Sequence, residues 1–179
     1  MIGSAMVRCR GAAIGYRCGM IPPADALMRP ARPGDAAALR AILHDTFEST
    51  WRPQVSPAAA RAFLAEDRPA AYVAERGLEF WVAERGGAVA GFVHWQGDFV
   101  HALHVRSSQA RAGVGRRLMD VAEAAIARSG FASARLETDT FNIASQAFYR
   151  ARGYREADRY PDKEWNSGLT TILLVKALG

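Results

Sequence analysis

The residues most suited to hold an anion lie in Val105-Arg-Ser-Ser-Gln-Ala-Arg-Ala-Gly113-Val-Gly115-Arg-Arg-Leu118. An apolar strand, Phe99 to Val105, runs into this short loop of small residues, glycines and arginines. A helix then opens at once, with Val114, Leu118, Val121, Ala122, Ala125 and Ile126 recurring at a period near 3.6 residues. The first-turn N–H groups of a helix have no intrahelical acceptor, and the helix dipole favours negative charge beside them. Glycine removes the Cβ that would keep a phosphate off the backbone. The backbone of Arg111, Ala112, Gly113, Val114, Gly115 and Arg116 is therefore the candidate cradle for a phosphate. The competing reading is an ordinary strand-to-helix turn with solvated arginines.

A second segment, Asn142-Ile-Ala-Ser-Gln-Ala-Phe148-Tyr149-Arg-Ala-Arg-Gly153-Tyr154, follows the strand Ala134–Thr138. Asn142 stands at a helix start and Gly153 just past its end. Together the two segments resemble the GNAT superfamily, the acyl-CoA-dependent N-acyltransferases. The first is similar to its pyrophosphate-binding Q/R-x-x-G-x-G/A motif and the second to its N-x-x-A-x-x-F-Y-x-x-x-G-[FY] motif; the likeness extends over roughly Met28 to Leu178. One departure stands in the first motif: Ala110 occupies the usual Gln or Arg position, between Gln109 and Arg111. The resemblance implies an α/β (α+β) fold, with a mixed, mostly antiparallel sheet of six to seven strands flanked by about four helices. It also implies acetyl-CoA as cosubstrate and an amine as acceptor. The backbone of Leu103, His104 and Val105 would pair with the pantetheine arm like an added strand. Asn142 would cap its helix, hydrogen-bond that arm, or do both.

Aminolysis of a thioester needs a neutral amine, stabilisation of an oxyanion and a proton for the departing thiolate. A thiol with a pKa of about 8.5 can take that proton from a phenol near 10. The resemblance places Tyr149 beside the sulfur as donor; the alternative is a core aromatic paired with Phe148. Adjacent helical residues diverge by about 100°, so one of the two can fill the core while the other lines a cleft. Many relatives carry a base at the position of Phe99, a second departure. His101 shares the face of Phe99 by strand alternation and titrates near neutrality, which makes it the candidate base. Asp98 reaches that face only if the strand is bulged, His104 is expected on the opposite face, and a chain of waters is the alternative base. No metal site is expected: His94, His101 and His104 lack a carboxylate or cysteine at zinc-ligand spacing. Without a cysteine after residue 18, direct transfer is expected rather than an acetyl-cysteine intermediate.

Composition narrows the partners. The net charge of +5 comes from 21 arginines and two lysines, Lys163 and Lys176. That basicity suits a polyphosphate coenzyme, but the arginines are scattered without interleaved aromatics, so nucleic acid is not expected. No apolar run is long enough to span a membrane, and both cysteines, Cys9 and Cys18, precede the motifs, so a cytoplasmic setting is expected. The oligomeric state is open, a homodimer included. Residues 1–26 read as an extension outside the fold, or as an upstream start with Met20 or Met28 as alternatives; residues 27–179 read as one domain.

The elements that must position these groups follow from turns and caps. A first strand, 26–31, ends at Pro33-Gly34. Asp35 is an N-cap for a helix burying Leu39, Ile42, Leu43 and Phe47. Trp51-Arg-Pro is a break, Ser56-Pro57 starts a helix to about Glu66, and 70–79 is ambiguous. Gly86-Gly87 joins strands 80–85 and 88–96 in a hairpin, and Gly97-Asp98 turns into 99–105. The phosphate-loop helix ends near Gly130, followed by strand 134–138, helix 143–152, and strands 154–160 and 169–176. Phe47, Trp51 and Asp162-Lys-Glu-Trp165 fall where the resemblance puts the acceptor walls. A non-catalytic acyl-CoA-binding module is the rival function, and a nucleic-acid binder the third.

Overall fold

Seven strands form one open sheet in the order β1-β2-β3-β4-β5-β7-β6 in the computed structural model, which describes residues 26–162 and 168–179. The strands are β1 (Leu27–Pro30), β2 (Trp81–Arg85), β3 (Ala88–Gln96), β4 (Phe99–Val105), β5 (Ser133–Asp139), β6 (Arg155–Pro161) and β7 (Thr170–Ala177). Five helices accompany them: α1 (Ala36–Thr46), α2 (Pro57–Ala65), α3 (Arg68–Arg76), α4 (Val114–Arg128) and α5 (Ile143–Ala151). All neighbours are antiparallel except β4 and β5. The expected extension, residues 1–26, lies outside the described residues but for Ala26.

Each face of the sheet has its own core. Val114, Leu118, Met119, Ala122 and Ile126 of α4 pack with Val93, Val100, Leu136 and Ile172 on one face. On the other, Leu39, Ile42 and Leu43 of α1 and Val73 of α3 cover Phe80, Val82, Phe92 and Ala102. Phe80 and Phe92 are fully buried and stacked with ring centroids 4.7 Å apart. Burying each such side chain stabilises the fold by roughly 1.5–3 kcal/mol. Gly86 and Gly87 both hold positive φ, 59° and 77°, as a two-residue turn matched to strand twist requires.

The expected stripe of α4 is buried at Val114, Leu118, Ala122 and Ile126, while Val121 and Ala125 are half-buried and Met119 and Glu123 are buried beside it. Glu123 is 8% exposed; Arg152 donates to its Oε1 at 3.1 Å and Lys176 to its Oε2 at 2.6 Å. Two cations on α5's end and β7 thus compensate a carboxylate on α4.

Local detail adds to these expectations. Asp35 begins α1, but its carboxylate does not cap that helix: it accepts both guanidinium branches of Arg29, at 2.7 and 2.9 Å, and the Arg32 N–H. The expected break at Trp51-Arg-Pro is where the helix ends, with turns over 52–55 before α2. Before that break the helix widens into a π turn over Phe47–Trp51, closed by the Arg52 N–H on the Phe47 carbonyl. Residues 70–79 are the rest of α3 and a 3-10 turn; Asp67 caps α3 by accepting the Ala70 N–H at 3.2 Å. That cap sits in left-handed backbone (φ 42°), a conformation that propensity disfavours, so the start was hard to read.

Candidate active site

Where β4 and β5 meet, the sheet opens. They pair in register only at Phe99↔Arg135 and Val100↔Leu136. Beyond that no pairing follows as β4 continues to Val105 and β5 to Asp139, so the strands part. β4 still pairs with β3 up to Val105, which leaves its other edge open from Ala102 onward. Such an edge presents backbone groups that an extended ligand can complete as an added strand.

A cleft of about 830 Å³ occupies this opening. Leu103, His104, Asn142, Ser145 and Tyr149 line it toward the strand gap and α5. Phe47, Trp51 and Phe63 line it from the π turn and α2, and Tyr72 from α3. The far wall is Phe99 and His101 of β4 with Glu137, Asp139, Tyr160 and Asp162. Of the residues expected as acceptor walls, Phe47, Trp51 and Asp162 line the cleft, while Lys163, Glu164 and Trp165 lie outside the described residues.

A bulge decides which side chains share this cleft. Along β3–β4 the register shifts between His94 and Trp95, which face Ala102 and Val100, so His101 is the extra residue. In an unbulged strand His101, Leu103 and Val105 would share a face, with His104 opposite. Instead, Leu103 and Val105 pack with the α4 core, while His104 points to the α1 side. There its Nδ1 meets the Thr46 hydroxyl at 2.8 Å, and its ring stacks on Phe92 with centroids 5.3 Å apart. The expectation that His104 and His101 face opposite ways is therefore corrected: both line the same cleft. Asp98, before the bulge, is not delivered to the site, because Arg135 binds its carboxylate at 2.6 and 2.8 Å.

Burial tunes the titratable groups. His104 is pushed down to about 4 by desolvation, so it is neutral at physiological pH. His101 is exposed to the cleft; desolvation by its walls, then the nearby His94 and Arg76 charges, hold it below the usual histidine value. The Tyr149 phenol, 7% exposed, is pushed up by burial and stays protonated. Asp139 is raised, first by burial and then by the Asp162 and Glu137 carboxylates, against a lowering bond from Trp51 Nε1 at 2.8 Å. Glu137 accepts the Tyr160 hydroxyl.

Residues 111–116 and Val105 do not line this cleft; Val105 ends β4, and 111–116 are the end of the following loop and the start of α4. Gly113 is the N-cap of α4 at φ 81°, and no side chain caps the helix. Its first-turn N–H groups are thus left to a ligand. The loop's first turn is braced twice: Asp45 of α1 accepts the Ser107 N–H at 2.6 Å and its hydroxyl at 2.8 Å, and Arg85 of β2 donates to Gln109 Oε1 at 2.8 Å. Gln109 is thereby committed to bracing the loop, and Arg111 and Arg116 are exposed beside it. Asn142 does cap α5, its Oδ1 accepting the Ser145 N–H at 3.1 Å, and it also lines the cleft.

An open sheet edge, an uncapped glycine helix start and a cleft thus lie at one end of the sheet. The model of the acetyltransferase (GNAT) family matches residues 36–154. The chain belongs to the GNAT family of N-acetyltransferases. It is 38% identical over 95 residues to blasticidin-S acetyltransferase of Streptomyces morookaense, a span of 53% of this chain and 68% of that one. A GCN5-related N-acetyltransferase structure from Rhodopseudomonas palustris shares the fold, with a TM-score of 0.74 and 24% identity over 87% of this chain and 98% of its own. So does the PaiA N-acetyltransferase of Thermoplasma acidophilum in complex with coenzyme A, with a TM-score of 0.68, 15% identity and coverage of 85% and 98%. As in the family, the reaction is acetyl transfer to an amine.

Sequence reasoning missed much of the cleft's lining. Glu137 and Asp139 were legible in principle, since Arg135, Glu137 and Asp139 alternate with buried Ala134, Leu136 and Thr138 along β5. Tyr72, Glu79 and His94 had no such signal; they meet only because α3 folds onto β3. Among the described residues, no group of three or more His, Cys, Asp or Glu is placed to hold a metal, and no helix is long and apolar enough to cross a membrane.

Proposed function

We propose that this enzyme transfers the acetyl group of acetyl-CoA directly to a primary amine carried by a small, cationic acceptor. The observation that carries the acceptor class is the lining of the cleft. Glu137, Asp139 and Asp162 line it together with Trp51, Phe47, Phe63 and Tyr160. Carboxylates complement an ammonium, and aromatic faces suit a cation with an apolar body.

In this reading the pyrophosphate rests on the N–H groups of Gly113, Val114, Gly115 and Arg116, with Arg111 and Ala112 completing the loop. The pantetheine arm pairs with the open edge of β4 at Leu103, His104 and Val105. Asn142 caps α5 with Oδ1 and retains its amide protons for the same arm. The thioester then lies at the mouth of the strand gap, where Tyr149 lines the cleft. Tyr149 gives its proton to the departing thiolate; burial, which keeps the phenol neutral, supports that role. On the acceptor side His101 and the stacked His94, with centroids 5.3 Å apart, both titrate below the usual histidine value and are neutral at pH 7. A neutral imidazole can accept the ammonium proton.

The test measures thiol release from acetyl-CoA across amino acids, short peptides, polyamines, aminoglycosides and blasticidin S, the last suggested by the Streptomyces relative. Turnover should favour acceptors with a second cationic group. Binding of acetyl-CoA without turnover of any amine would instead support a non-catalytic acyl-CoA-binding module.

A further inference from the structure

His94 is the most enclosed titratable side chain beside the cleft, at 3% exposure, and both its ring nitrogens are engaged. Nε2 lies 3.2 Å from Glu79 Oε2, and Nδ1 lies 2.7 Å from the Tyr72 hydroxyl. Glu79 also accepts Arg76 through its other oxygen at 3.2 Å; that bond, then the one from His94, holds its carboxyl below the usual range. An ionised carboxylate only accepts, so Nε2 carries the ring proton. Nδ1 is then a bare lone pair, and the Tyr72 hydroxyl donates to it. Tyr72 lines the acceptor cleft, whereas Glu79 is 46% exposed at the outer surface. A continuous chain of hydrogen bonds therefore runs from the cleft through a buried imidazole to solvent.

We propose that Tyr72, His94 and Glu79 form a relay that takes the acceptor's ammonium proton from the cleft to the protein surface. The inference rests on the acetyl-transfer reading above and names the base for that reaction. Tyr72 is the catalytic residue, since its oxygen meets the amine; His94 and Glu79 act through it as positioning residues. The ammonium N–H bond breaks and its proton joins the Tyr72 oxygen, while the phenolic proton passes to Nδ1. The amine is left neutral for attack on the thioester, and His94 becomes an imidazolium paired with Glu79. A ring proton then leaves through Glu79 to water, and rotation of the Tyr72 hydroxyl with proton exchange at the ring resets the chain.

His101 lacks this wiring. Among the described residues its ring makes no hydrogen bond; it is held by stacking on His94 and by Phe99 at 5.0 Å. The groups facing His94 are Tyr72 from α3, Arg76 at the end of α3, Glu79 from the following turn and His101 from β4. Burial lowers its pKa, partly offset by Glu79. The relay is therefore competent above a pKa lower than that of free histidine and fails as pH falls through it.

Two measurements test this on the full-length protein saturated with acetyl-CoA. The first is imidazole 15N NMR: His94 should be the Nε2–H tautomer at neutral pH, and Tyr72→Phe should shift only the bare Nδ1 signal. An Nδ1–H tautomer overturns the relay whether or not any amine is turned over. The second is kcat/KM against pH, with the fastest acceptor among blasticidin S, spermidine and kanamycin. Wild type should show an acidic limb below pH 6.5. Tyr72→Phe and His94→Gln should each lower the rate about a hundredfold and erase the limb, with acetyl-CoA affinity intact. Glu79→Gln should move the limb to lower pH, while His101→Ala keeps it in place. Because His94→Gln alters a buried site, Tyr72→Phe is the variant that decides. A limb that survives Tyr72→Phe, or disappears only in His101→Ala, overturns the relay. A wild type that binds acetyl-CoA but acetylates none of the three counts against the transfer reading instead, and the ring tautomer still judges the relay.

Discussion

A substitution series at Gly115 separates backbone access to the phosphate loop from charge. A Cβ built at Gly115 meets Val105 Cγ2 at 3.6 Å, Phe148 Cζ at 3.7 Å and Leu103 Cδ2 at 3.9 Å, all ordinary contacts. Gly115→Ala should therefore fold as well as wild type, or gain up to about 1 kcal/mol from helix propensity. Its Cβ points at β4 and α5 rather than along the first-turn N–H groups, so acetyl-CoA affinity should stay within about threefold, since each 1.4 kcal/mol is tenfold in Kd. Gly115→Glu must put a carboxylate into the strand gap or back over the loop. At roughly 6 Å from one phosphate charge, the repulsion is about 0.7–2.8 kcal/mol for effective dielectrics of about 80 to 20. With two phosphate charges in reach it doubles to about 1.4–5.5 kcal/mol, at least a tenfold loss in affinity. Titration calorimetry with acetyl-CoA measures this, and thermal unfolding confirms the fold. Gly115→Gln has nearly the same shape without the charge and should lose less. The loss in Gly115→Glu should shrink near 1 M salt, where the Debye length is about 3 Å. If Gly115→Glu binds acetyl-CoA within about twofold of wild type at low salt, the phosphate is not on this helix start.

Three further outcomes follow from the same geometry. Tyr149→Phe keeps the buried ring but not the proton, so turnover should fall about a hundredfold to ten-thousandfold while acetyl-CoA affinity, measured separately, holds. Trp51→Phe removes the 2.8 Å donor to Asp139. A lost bond to a charged group is worth about 1.5–3 kcal/mol, or roughly one to two pKa units. Since Asp139 is already raised by burial, acceptor KM, which should worsen as pH falls through that pKa, should do so at a correspondingly higher pH in the variant. Glu123→Gln strands the Arg152 and Lys176 cations around a buried site and should cost about 2–4 kcal/mol, discounted because Lys176 can reach solvent. Urea unfolding should show it as a lower midpoint with an unchanged slope.

Much of this protein was legible from local chemistry alone. Gly86-Gly87, Ser56-Pro57, Asn142 and Gly153 punctuate the chain through backbone requirements that act within a few residues, and the elements between them lie where those signals put them. The loop around Gly113 and Gly115 was readable for the same reason, because an uncapped helix start is a local property. Tyr149 stood out by its motif, although its burial was not readable.

Tertiary structure decided the cleft. One extra residue in β4, His101, brought His104 to the face of His101 although strand alternation separates them, and the cause is a register shift against β3 that neither residue encodes. Burial of Glu123 depended on Arg152 and Lys176, 29 and 53 residues further along the chain. The chain from Tyr72 through His94 to Glu79 required α3 to pack on β3, and the Trp51–Asp139 bond crosses 88 residues. Sequence determines what depends on nearest neighbours, namely caps, turns and periodicity. Proton paths and pKa values depend on distance and desolvation, which exist only once remote segments are packed together.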